Sequence, residues 1–193
     1  KYYYWKEENM NIKIDKKDDI ILKILHYFIT EEDYKPIIIN GVDGEIWLEN
    51  MQSDLKLIRI NSNYIHNEEQ LKNDTFKAKA IMKSIKKSTL SFKMNMLNLL
   101  MDTGEAVKLI DNKNIETIKV EKINDFKKNK VVEEFFPKVK DAVLNEEMDP
   151  TEFFKLTEDM NQTTIKNEKK LAKIFSPKKP VISYLLIVLN IMI

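Results

Sequence analysis

The chain has 193 residues, with 32 Lys and Arg against 31 Asp and Glu, two His, no Cys and three Gly. Its 43% apolar and 9% aromatic residues suffice for a core, so a wholly disordered chain is excluded. The lack of Cys removes disulfides, thiolate zinc sites and cysteine nucleophiles, three glycines cannot write a phosphate-cradling loop, and a net charge of +1 argues against a dedicated nucleic-acid binder.

The first residue is Lys1 rather than Met, and Lys6-Glu7-Glu8-Asn9-Met10 is compatible with a purine-rich run before a start codon. Met10 is therefore a candidate start with residues 1–9 as translated leader, and residues 1–15 as a whole are read as leader or flexible terminus. Ile20, Ile21, Ile24, Leu25 and Phe28 line one face of an amphipathic helix expected over 16–33, with Asp15 as N-cap and Asp18 and Asp19 at the positive end of its dipole. Strands are expected over 36–39, 45–49 and 55–60, joined by Asn40-Gly41-Val42-Asp43-Gly44 and by the turn 50–54. A second helix runs from Asn67 to about Lys87, with Leu71, Ala78, Ile81, Met82 and Ile85 inward. Residues 90–100, almost uncharged, read as a buried strand, 115–120 as a shorter strand, and 126–136 as one short helix ended by Pro137. Asp149-Pro150-Thr151-Glu152 opens a long polar helix to about residue 175. The α-β-β-β-α-β order predicts an α/β (α+β) domain with a mixed sheet under helices, over residues 16–148, followed by a linker helix over 149–177.

The segment 181–193, VISYLLIVLNIMI, carries no charge. Thirteen helical residues rise about 20 Å against the roughly 30 Å of a bilayer core, so length alone favours a buried terminal element. The collar of Lys169, Lys170, Lys173, Lys178 and Lys179 favours the beginning of a membrane span over 178–193, approached from the cytoplasmic side.

The α-β-β-β-α-β order is also that of restriction-nuclease and resolvase scaffolds, in which an Asp and an acidic-x-Lys triplet hold a metal near a phosphate. Asp43 and Asp54-Leu55-Lys56 imitate that spacing, although turn chemistry explains both more simply. His66 with Glu68 and Glu69 forms a weak candidate for a divalent cation, against the plainer reading of an acidic first helical turn. His26 is expected packed or hydrogen-bonded on its helix, and Trp47 in the core or on the sheet surface. Lysines 77, 79, 83, 86 and 87 make a basic helix side without interleaved aromatics, read as solvated, so no nucleic-acid partner is expected.

The succession ILKILHYFITEEDYKPIIIN, GEIWLEN and LKLIRI before a helix resembles the N-terminal cytosolic domain of Gram-positive bacterial rhomboid-family intramembrane serine proteases. SPKKPVISYLLIVLNIMI is similar to the start of that family's first transmembrane helix, with Lys178, Lys179, Pro180, Tyr184 and Asn190 marking where it meets the membrane. The resemblance implies a parent enzyme, multi-pass in the bacterial cell membrane, that cleaves membrane-protein substrates with a Gly-x-Ser nucleophile and a later His, and with no cofactor for that chemistry. It implies for this chain, which carries neither dyad residue, a non-catalytic cytosolic regulatory or adaptor domain, and it leaves open a divalent cation there. The rivals are a membrane-tethered binding domain without protease and a nuclease-like soluble domain.

Overall fold

Asp15 is extended and its side chain accepts the Lys17 amide at 3.1 Å, which starts helix α1 (Lys16–Thr30) in the computed structural model. The structure describes residues 15–143 and 149–175, so the candidate start at Met10, the 178–193 segment and Lys178, Lys179, Pro180, Tyr184 and Asn190 lie outside the described residues. Helix α1 stops three residues before the expected end. Asp33 takes a left-handed φ of 55°, and the chain turns so that the Tyr34 amide donates to the Phe28 carbonyl at 2.9 Å.

Strands β1 (Lys35–Ile37), β2 (Glu45–Glu49) and β3 (Leu57–Asn61) pair antiparallel. Helix α2 (Glu68–Ser88) then crosses over so that β4 (Met96–Leu100) runs parallel to β3, and β5 (Ile115–Lys119) in turn pairs parallel with β4. The sheet order is β1-β2-β3-β4-β5, a mixed five-stranded sheet of the expected α/β class. Short helices α3 (Ile123–Lys127), α4 (Lys130–Phe135) and α5 (Val139–Ala142) follow, and then α6 (Pro150–Phe175), where Asp149 Oδ1 accepts the Glu152 amide at 2.8 Å.

Several boundaries correct the sequence reading. The single helix expected over 126–136 is broken, because Asn129 is extended and its side chain accepts the Val131 amide at 3.0 Å, capping α4 afresh. The strand expected from Leu90 pairs only from Met96, because α2 closes in a turn that leaves Leu90 and Phe92 in solvent. At β1 the strand ends at Ile37 and Ile38 is 92% exposed, while at β3 pairing runs to Asn61 and Leu55 is buried in the preceding turn.

Alternation along the strands divides the side chains between two faces. Leu48, Ile58, Ile60, Leu97, Leu99 and Ile118 join α1, α3, α4 and α5 in the larger cluster. At its centre the Phe28 ring meets those of Tyr27, Tyr34, Phe126 and Phe136 at 5.5, 5.2, 5.7 and 5.1 Å between centroids. Tilted and edge-on ring pairs of this kind add about 0.5–1.5 kcal/mol each beyond area burial. The opposite face is covered by α2, with Trp47, Leu57, Ala78, Met94, Met96 and Ile115 forming a smaller cluster. Helix α6 lies along α1, where Met160 packs against the larger cluster and Asp159 Oδ2 stands 2.8 Å from His26 Nε2. Among the described residues no helix is long and apolar enough to cross a membrane.

Candidate functional site

On the α2 face, four directly paired residues form a row across the sheet: Trp47, Arg59, Asn98 and Thr117. Three of the four are polar where the period-2 pattern calls for apolar side chains. The chain holds 31 Lys but one Arg, and that Arg59 is fully buried in this row. The reason lies in its partners. Arg59 Nε and Nη2 donate to Glu45 at 2.7 and 2.6 Å, Nη1 and Nη2 donate to Asp74 at 2.7 and 2.6 Å, and Nη1 also donates to Asn98 Oδ1 at 2.9 Å. The five bonds match the five N–H groups of a planar guanidinium. A lysine, with three donors on one atom, cannot fork two carboxylates at once.

Each anchoring side chain is placed by its element. Glu45 starts β2, opposite Asn61 at the end of β3, and Asp74 stands on the inward face of α2 between Leu71 and Ala78. Trp47 Nε1 donates to Glu45 Oε2 at 2.9 Å, Asn61 Nδ2 donates to Asp74 Oδ1 at 3.1 Å, and the guanidinium carbon lies 5.7 Å from the Trp47 ring centroid. Asn98 Nδ2 in turn donates to Thr117 Oγ1 at 3.4 Å. Burial by itself disfavours the charged guanidinium, but the hydrogen bonds and charges of Asp74 and Glu45 outweigh it, and the net shift of Arg59 is upward. It is a fixed cation flanked by two carboxylates, and the cluster carries one surplus negative charge.

Above this cluster opens a cleft of about 520 Å³ between α2 and the loop joining β1 to β2, lined by Asp43, Asn63, Gln70, Asn73 and Lys77, with Glu45, Asn61 and Asp74 in its wall. The loop is pinned by Asn63 Nδ2 donating to the Asp43 carbonyl and by Ser62 Oγ donating to the Gly44 carbonyl, both at 2.8 Å. Gly44 has φ 71°, a left-handed conformation that strains any side chain, and a Cβ there would stand 2.3 Å from Asn63 Oδ1 and displace the Asn63 side chain that pins the loop. Arg59 has no N–H left for an anion. What the cleft offers a ligand is amide groups, a surplus of carboxylate and one rim ammonium.

The residues singled out from the sequence fall elsewhere. Asp43 precedes β2 and Asp54 precedes β3, and the two strands are antiparallel, so these carboxylates sit at opposite ends of the β2–β3 hairpin. At least four strand rises, about 13 Å, separate them, and they do not share a site. His66 precedes α2 with its amide donating to Gln70 Oε1 at 2.8 Å, and its ring lies 5.9 Å from that of Tyr64. Glu68 and Glu69 are exposed in the first turn of α2, and among the described residues no group of three His, Asp or Glu side chains is arranged to hold a metal ion. Trp47 is buried and His26 is hydrogen-bonded, the places expected for them. The basic side of α2, expected without aromatics, carries the exposed Phe76 among its lysines.

The Glu45–Arg59–Asp74 cluster was not foreseen from the sequence. Two signals pointed to it: the chain's one Arg on an otherwise apolar strand, and an Asp on the inward stripe of α2. No protein-family model matches this chain, and no curated protein matches it.

Proposed function

We propose that this chain is the regulatory or adaptor domain of a rhomboid-family intramembrane serine protease, contributing no catalytic residue of its own. The observation that supports this reading most is the seat of α6 on α1. A 26-residue helix packed along the first helix of the sheet domain is followed in the chain by Lys178, Lys179 and the apolar residues 181–193. A helix so placed couples the position of the sheet domain to whatever follows it, because a packed helix transmits displacement as a rigid element.

The first test is to read the coding frame beyond Ile193. Several further apolar spans holding Gly-x-Ser and a later His support the reading, and a stop after a single span refutes the protease in favour of a membrane-tethered binding domain. In the complete protein, Met160→Asp should unseat α6 and change the cleavage of membrane substrates. Unchanged cleavage with α6 demonstrably displaced would refute the coupling.

The nuclease-like alternative keeps the same element order but requires Asp43 and Asp54 to act together, and their positions at opposite ends of one hairpin disfavour it. Metal-dependent DNA cleavage abolished by Asp54→Ala would restore that alternative.

A further inference from the structure

From Phe76 to Met101 the chain holds six lysines and no acidic residue, in a protein whose whole net charge is +1. The fold places these lysines outward. Lys72, Phe76, Lys79, Lys83 and Lys87 recur at the spacing of one helical face, and all five are exposed. Lys86 and Lys93, also exposed, stand on either side of the turn that ends α2.

That turn is well defined. The Ser91 amide donates to the Lys86 carbonyl at 3.1 Å and the Leu90 amide to the Lys87 carbonyl at 3.4 Å, the paired bonds of a Schellman motif. Ser91 Oγ donates to the Lys93 carbonyl at 3.1 Å. Leu90 occupies the left-handed position, φ 51°, where glycine is the usual residue and a side chain is strained. The frame therefore holds two large apolar side chains in water: Leu90 is 85% exposed and Phe92 is 100% exposed. Phe76, 75% exposed, continues the apolar presentation onto the lysine face of α2.

We propose that the turn 89–93 and the outer face of α2 form a docking surface for an anionic lipid bilayer, with Leu90 and Phe92 entering the interface and the lysines meeting the headgroups. Charge and shape select this occupant. A protruding tip with apolar side chains inside a lysine collar matches a soft interface that accepts apolar groups beside negative headgroups. A nucleic acid would be better served by guanidinium groups, and the chain's one Arg is buried under Glu45 and Asp74. Among neighbouring carboxylates, Asp54 lies at the same end of the sheet, its carbonyl accepting from Asn95 Nδ2 at 3.4 Å, and Lys56 offsets it two residues on. The surface stands apart from the protease reading, since it rests on the turn and on α2 alone.

The absence of native cysteine makes the test direct. In the full chain, Phe92→Cys is labelled with an environment-sensitive fluorophore and mixed with vesicles containing phosphatidylglycerol, with phosphatidylcholine vesicles and with an oligonucleotide. Glu105→Cys, in the loop at the other end of β4, carries the same label as reference. The label at position 92 should shift to the blue and be quenched by brominated acyl chains on the anionic vesicles, with a weaker response on neutral ones and none at position 105. Each lysine near an anionic surface contributes roughly fivefold to its occupancy. The triple variant Lys86→Glu, Lys87→Glu and Lys93→Glu should therefore lower the insertion equilibrium at position 92 by at least about a hundredfold, since it both removes three positive charges and adds three negative ones, even where the apolar residues 181–193 hold the chain on the vesicle. A label that stays in water while the chain sediments with anionic vesicles overturns the proposal, as does a chain that ignores them. An equal blue shift with the oligonucleotide alone would show a general polyanion surface and overturn it too.

Discussion

Arg59→Ala is expected to be among the most damaging single substitutions in the sheet. It deletes five hydrogen bonds of 2.6–2.9 Å and strands Glu45 and Asp74, whose side chains are only 9% and 15% exposed. Removing one partner of a buried ion pair typically destabilises by about 3–5 kcal/mol, because the remaining charge is left uncompensated. For a chain of this size each kcal/mol lowers Tm by about 2–4 °C, so thermal unfolding followed by circular dichroism should show a fall of about 6–20 °C. Arg59→Lys keeps the charge but loses the fork, and should still destabilise by about 1.5–3 kcal/mol, the range of a lost hydrogen bond to a charged group. Adding Glu45→Gln and Asp74→Asn to Arg59→Ala should recover part of the loss, since it removes the stranded charges rather than any contact of Arg59. A change within about 1 kcal/mol for Arg59→Ala, the range of exposed ion pairs, would refute the account of this cluster as the centre that ties β2, β3, β4 and α2 together.

Burial, reinforced by Glu32 at Tyr27, raises the phenol pKa of both Tyr27 and Tyr34 in the folded state. The stability this represents is present below the ordinary phenol value near 10 and is lost as pH rises past it, because the unfolded chain releases those protons first. At about pH 11 each phenol should contribute about 1.4 kcal/mol of destabilisation, and Tyr27→Phe should flatten the alkaline limb of a urea-denaturation series run from neutral to high pH. Phe28→Ala empties the centre of the aromatic cluster and should destabilise by about 3–5 kcal/mol in equilibrium denaturation. Leu90→Gly should raise stability by up to about 1 kcal/mol by relieving the left-handed leucine, while weakening insertion of the labelled turn into anionic vesicles. The opposite signs separate a binding residue from a structural one. The His26–Asp159 pair is partly exposed, and a double-mutant cycle should return less than about 1 kcal/mol, which leaves the seating of α6 to apolar packing such as that of Met160.

Much of the local structure was legible in the residues. Asp15, Asn67 and Asp149 mark the starts of α1, α2 and α6 because a short polar side chain can accept an otherwise orphaned amide there whatever the rest of the chain does. The spacing of Ile20, Ile24 and Phe28 marks the buried face of α1 for a similarly local reason, the 3.6-residue period. The run 90–100 differs, because its apolar content says that these side chains avoid water, not where the preceding helix will let go. A Schellman turn at Leu90, formed with carbonyls of α2, decides that the first residues are presented outward instead. Over 126–136 no glycine or proline interrupts the pattern before Pro137, yet a single capping side chain, that of Asn129, is enough to split one helix into two.

The candidate site depended on tertiary structure almost entirely. From the sequence alone, Arg59 was one polar residue on a strand and Asp74 one polar residue on a helix, with Glu45 in a separate hairpin arm. Their meeting required the strand order β2-β3-β4 and the crossover that lays α2 over that face, both set by long-range packing of the two sheet faces. Local pattern thus determined the principal helices and strands, their order and the mixed α/β class, but not the short helices α3 to α5, since propensity, capping and periodicity act within a few residues. Register and crossover alone decided which carboxylates share a guanidinium and which sit at opposite ends of a hairpin, because hydrogen-bonded neighbours in a sheet are chosen by the burial of the whole domain.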